Sequence, residues 1–118
     1  MAVAHLLPRG SLILVSLDPA VGREQGRTRT AVVVSRTVAN RQALATDGIV
    51  TVVPITSSTE RILSFQAPIN AHGIRGKAQA EQVRAISVSR IVRLTGVLDA
   101  EQLAAVDEAL LLHLGLDS

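Results

Sequence analysis

Arginines at positions 23, 27 and 29 crowd one short segment together with a carboxylate, Glu24, and an amide, Gln25, and Gly22 and Gly26 bracket its core. The apolar run 31–34 follows at once. The segment therefore reads as a flexible loop on the lip of a sheet, where side chains are presented to a ligand. Guanidinium forks in such a loop suit a phosphate chain, since each can hold two phosphoryl oxygens and stays cationic at any working pH. No Gly-Lys-Ser/Thr signature is present and no helix is expected after the loop, which argues against an ATP or NAD cradle.

Charge distribution agrees with an anionic partner. All twelve Lys and Arg residues precede residue 98, against five carboxylates there, while residues 98–118 carry five carboxylates and no base. A basic body attracts polyanions, although ordinary surface charge can be segregated in the same way. Histidine offers little alternative chemistry: His5, His72 and His113 fall in a terminus, a turn and a helix, with no spacing that suits a paired acid and base or a metal. Absence of cysteine excludes disulfides, thiolate metal sites and thiol nucleophiles.

The elements that must carry the loop are short. With 118 residues, 47% of them apolar, the chain has material for one core, and residues 1–118 read as a single domain. Strands are expected at 12–17, 31–35, 48–55, 64–70, 77–86 and 91–98. Pro54 suggests an edge or a bulge in the third of these. Residues 38–47 read as a loop or a single helical turn, 71–76 as a glycine-punctuated turn, and 87–90 as one short helical turn. Phe65, alternating with Ala67 and Ile69, is expected in the core.

The stretch 99–114 is the one long helix, with Asp99 as its cap, Gln102 at capping-box spacing, and Gly115 as its stop. Leu103, Val106, Leu110 and Leu114 recur on one face, and the further leucines at 111 and 112 exceed what one stripe needs, so some are expected to face a second subunit. Short strands followed by a terminal helix predict a small curled antiparallel barrel. No apolar run approaches the ~20 residues of a membrane span. Residues 1–8 lack the series of features of a secretion signal, so a soluble, cytoplasmic protein is expected.

Five segments in register then carry a resemblance. They are Arg9-Gly10 before a strand ending Asp18-Pro19; Gly22-x-Glu24-Gln25-Gly26-x-x-Arg29; the run 50–57, VTVVPITS; the run 77–84, KAQAEQVR; and the run 106–110, VDEAL. Together they resemble the MazF/PemK toxins, from about residue 9 to 116. The resemblance implies a mostly β fold with a C-terminal helix, an SH3-like small barrel of the CcdB/PemK type, assembled as a homodimer. It implies a sequence-specific endoribonuclease of a type II toxin–antitoxin pair that cuts single-stranded mRNA without metal or cofactor. The expected products carry 2′,3′-cyclic phosphate and 5′-hydroxyl ends, and a cognate antitoxin lies across the site. This chain departs from the family pattern at Thr30, where a proline is common, at Arg23, where a small residue is common, and at Leu12-Ile13-Leu14, where aromatics are usual.

RNA cleavage through its own 2′-hydroxyl requires alignment of the attacking and leaving oxygens, stabilisation of phosphoryl charge, and proton transfer. The family motif assigns catalysis to Arg29 and Thr56, guanidinium for charge and hydroxyl for a hydrogen bond. Glu24 has two roles open to it, accepting the 2′-hydroxyl proton or holding Arg27 or Arg29 in place. With no Trp or Tyr and a single Phe, base stacking is scarce. RNA contacts therefore fall to Gln25, Arg27, Asn40, Ser57, Gln79 and Gln82, with Arg23, Arg41, Arg61 and Lys77 along the phosphates, and binding should weaken steeply with salt. Two other readings fit the same fold: a non-catalytic toxin such as a gyrase poison, or an RNA-binding module.

Overall fold

The computed structural model describes residues 7–17 and 28–117. Strands β1 (Ser11–Ser16) and β2 (Thr28–Val33) precede helix α1 (Thr37–Thr46) and strand β3 (Ile49–Thr56). Strands β4 (Gln66–Ala71), β5 (Ile74–Gln79), β6 (Arg84–Ser87) and β7 (Ile91–Val97) follow, and helix α2 (Ala100–Leu114) closes the chain. Every pairing is antiparallel, in the order β4-β5-β3-β2-β1-β7, with β6 also on β3. The sheet curls into a half-barrel with α2 packed on it, the mostly β architecture expected from the sequence.

Both faces of the central strands are buried, which is why β2 reads as an unbroken apolar run and not as an alternation. Leu12, Val32, Val53, Ile55, Ala67 and Ile69 pack under Val106 and Ala109 of α2. Ile13, Val15, Ala31, Val33, Val50, Val52 and Ile86 form the opposite core, closed by Ala43 of α1. Each fully buried Leu, Ile or Val among them contributes roughly 1.5–3 kcal/mol by leaving water, the alanines less.

Five expectations are corrected. Residues 37–46 form a full α-helix, not a loop or one turn; only Asn40 and Ala43 of it are buried, so its apolar face was too thin to read. Pro54 lies in the centre of the sheet, opposite Ala31 of β2. The Val34 N–H donates to the Thr51 carbonyl at 2.9 Å, so in this register the odd residues of β3 turn their backbone groups to β2 and Pro54 turns its nitrogen to the other edge. There β6 has ended opposite Val52 and β5 begins opposite Ile55. That gap explains the third correction: the single strand expected over 77–86 is two strands, β5 and β6, separated by a 3₁₀ turn at Ala80–Gln82. A strand running past Pro54 would find no N–H to bond, and the chain bows out instead.

Phe65 is the fourth. It sits half-buried in the turn before β4, its ring 5.9 Å from that of His113. Helix α2 starts and stops as read: Asp99 accepts from the Gln102 N–H at 2.8 Å, and Gly115 takes φ 71°. The Gln102 amide, however, does not complete a capping box. It bonds both the N–H and the carbonyl of Asn70, each at 3.1 Å, and so covers part of the open edge of β4.

Candidate active site

Strand register assembles the site. Thr30 pairs with Ile55, which sets Arg29 level with Thr56 one step beyond, at the end of β3. Arg29 pairs with Val15 on its other side, and Thr56 pairs with Lys77 of β5. Directly opposed residues of antiparallel strands share a face. Arg29, Thr56 and Lys77 therefore form one row across three strands, on the face of Ala31 and Val33 and not on the α2 face. Adjacent strands are about 4.8 Å apart, well within reach of a phosphate between two long side chains.

The two central members differ in freedom. Arg29 is exposed and makes no ion pair with any described acid. Thr56 is half-buried, and its Oγ1 accepts from the Ser58 N–H at 3.3 Å, which leaves its O–H available to donate outward. Its backbone is tightly held: a Cβ on Gly76 would lie 2.1 Å from the Thr56 carbonyl oxygen, so only glycine lets β5 approach here. Beyond Lys77 on the same face an open groove of about 400 Å³ runs between the 57–62 segment and the β4–β5 hairpin. Ser57, Thr59, Pro68, Asn70 and Arg75 line it.

Over residues 8–114 the chain matches the PemK-like, MazF-like toxins of type II toxin–antitoxin systems. It belongs to that family. Endoribonuclease MazF9 of Mycobacterium tuberculosis (strain ATCC 25618 / H37Rv) is 43% identical over 116 residues, covering 94% of this chain and 98% of the relative. Among solved structures, a MazE–MazF complex from Deinococcus radiodurans superposes with a TM-score of 0.78 at 28% identity, covering 93% of this chain and 96% of that one. The Mycobacterium tuberculosis toxin MazF-mt6 follows the same fold, with a TM-score of 0.71 at 26% identity over 92% of this chain and 99% of that one.

Against this PemK/MazF frame the expected site residues divide. Register brings Arg29 and Thr56 together, Ser57 is exposed beside them, and Gln79 shares the face of Lys77 two residues on. Gln82 is exposed on the 3₁₀ turn, outside the row. Glu24, Gln25 and Arg27 lie outside the described residues. Asn40 is corrected: it is 0% exposed, its amide donates to the Leu7 and Ser35 carbonyls at 3.0 and 2.9 Å, and its oxygen accepts from the Ser35 hydroxyl. No part of it is left to read a base. Lys77 is not a solvent-facing phosphate contact either, being buried with its ammonium on the Arg61 carbonyl. Arg75, read in sequence as part of a turn, lies on β5 and enters the groove; the turn itself is only His72-Gly73, both at positive φ.

A second arginine of the family motif is committed to the fold. Arg9 forks onto Asp107 with bonds of 2.5 and 3.0 Å, and its Nε donates to the Val34 carbonyl at 2.7 Å. The hydrogen-bonded carboxylate raises the Arg9 pKa above its usual value, against an opposing effect of burial.

Proposed function

We propose that this PemK/MazF toxin is a sequence-specific endoribonuclease that cleaves single-stranded mRNA in the cytoplasm. The observation that carries this reading is the shared row and face of Arg29 and Thr56 at the end of adjacent strands. A phosphodiester lying over that row would receive a two-pronged guanidinium from one side and a hydroxyl from the other. The RNA 2′-oxygen attacks phosphorus, the bond to the 5′-oxygen breaks, and that oxygen takes up a proton from water, which leaves 2′,3′-cyclic phosphate and 5′-hydroxyl ends. Arg29 stabilises the charge that grows on the non-bridging oxygens, Thr56 donates to one of them, and Glu24 takes the 2′-hydroxyl proton or holds Arg27 or Arg29 in place. Ser57, Gln79 and Gln82 contact flanking nucleotides, with Gln25 and Arg27.

The family and the MazE–MazF relative support two partners for this chain: a cognate antitoxin that covers the row, and a second copy of itself. Leu111, Leu112, Leu114 and Leu116 are exposed at the end of α2 and give such a copy an apolar patch. No helix among the described residues is long and apolar enough to cross a membrane.

The test is to incubate the purified protein with a long single-stranded RNA and a chelator, and to map the ends. Cuts at a recurring short sequence with cyclic phosphate ends are expected, and they should persist with chelator. RNA left intact under all conditions, with growth still arrested on expression, would favour a non-catalytic toxin.

A further inference from the structure

The single lysine of the chain occupies an unfavourable place for a lysine. Lys77 is 8% exposed, and this residue type is almost never buried unless paired. Its ammonium donates to the Arg61 carbonyl, and no carboxylate among the described residues pairs with it. One carbonyl returns little of the cost of taking an ammonium out of water, and an apolar side chain would fill the same space more cheaply. Stability therefore does not account for Lys77.

Its position does. Lys77 lies opposite Thr56 and on the same face. Arg61 is midway along the 57–64 segment, which leaves Thr56 directly and is exposed throughout. Near its ends this segment is held by the Ser58 N–H on Thr56 Oγ1 and by the Leu63 N–H on Gln66 Oε1 at 2.9 Å. Between these points Lys77 fastens it to the sheet. The same segment supplies Ser57, Thr59 and Ile62 to the groove that continues the Arg29–Thr56 row toward Arg75.

We propose that Lys77 is a positioning residue for RNA cleavage: it ties the 57–64 segment down beside Thr56 and so fixes the wall of the groove that receives nucleotides next to the scissile phosphate. The proposal rests on the nuclease reading.

Lys77→Met, which keeps the stem and removes the ammonium, and Lys77→Arg, which keeps a donor and the charge, test it in the full chain. Trypsin cutting after Arg61, measured without RNA, should speed up about tenfold in Lys77→Met as the segment opens locally. On an RNA with a mapped cut, KM should rise about fivefold or more with kcat within about threefold, the pattern of lost substrate binding. Discrimination among sites on a long RNA should fall, and Lys77→Arg should restore most of each effect. Unchanged KM and site preference in Lys77→Met overturn the proposal, as does a loss that Lys77→Arg leaves unrepaired. If Lys77→Met does not fold, as judged by its far-ultraviolet spectrum, Lys77→Gln replaces it with the same expectations. Wild-type protein that cuts no RNA would defeat the nuclease reading, whereas an unchanged trypsin rate would defeat the anchor itself.

Discussion

The two ends of the β2 region each carry an arginine, and the chain uses them in opposite ways. At the Val34 end, Arg9 meets a carboxylate through both terminal nitrogens and a backbone carbonyl through its Nε. Beside it Asn40 uses its amide nitrogen on two carbonyls and its oxygen on the Ser35 hydroxyl. At the other end, Arg29 projects from β2 with no described partner, next to a hydroxyl whose proton is not committed inward, while the neighbouring Lys77 ammonium is taken up by the Arg61 carbonyl. Polar groups satisfied within the protein hold the fold; the Arg29 guanidinium and the Thr56 hydroxyl, open at the other end, are the groups that the proposed site offers to an external anion.

Exchanging alanine for each arginine is the sharpest way to break this contrast. Arg29→Ala should lower the cleavage rate by about 10³-fold, as loss of a preorganised donor to the transition state does, with an unchanged melting temperature. Arg9→Ala should do the reverse. It should cost about 1–2 kcal/mol in denaturant titration, a modest value because the fork is partly solvent-exposed, and retain cleavage per folded molecule.

Thr56→Val keeps the shape and removes the hydroxyl. We expect kcat to fall about tenfold to a hundredfold, with the far-ultraviolet spectrum unaltered. At the closed end, Asn40→Ala leaves the Ser35 hydroxyl and two carbonyls short of partners. It should destabilise by about 2–4 kcal/mol and leave salt-dependent RNA binding by the remaining folded protein as it was. RNA affinity lost out of proportion to stability would return Asn40 to the binding surface.

What could be read from sequence follows from where each signal resides. Strands β1, β2, β3 and β7 and helix α2 declare themselves through local apolar runs, a capping aspartate and a stopping glycine. Helix α1 does not, because its two inward residues are an asparagine and an alanine. The break between β5 and β6 was hidden because its cause lies in another strand, at Pro54, about 25 residues earlier. The site shows the same division. Arg29 and Thr56 stand out in sequence as residue types in a family pattern, while their adjacency depends on the β2–β3 register. Asn40 and Lys77 were misread for one reason: polar residues in an RNA-binding chain look like ligands until burial shows what they already hold.

The most direct test is a structure of the protein with an uncleavable RNA carrying a 2′-deoxy sugar at the mapped cut. The account predicts that the Arg29 guanidinium and the Thr56 hydroxyl both come within ~3 Å of oxygens on the one phosphate at that cut. Contacts to two different phosphates, or an RNA path that bypasses the end of β3, would contradict it.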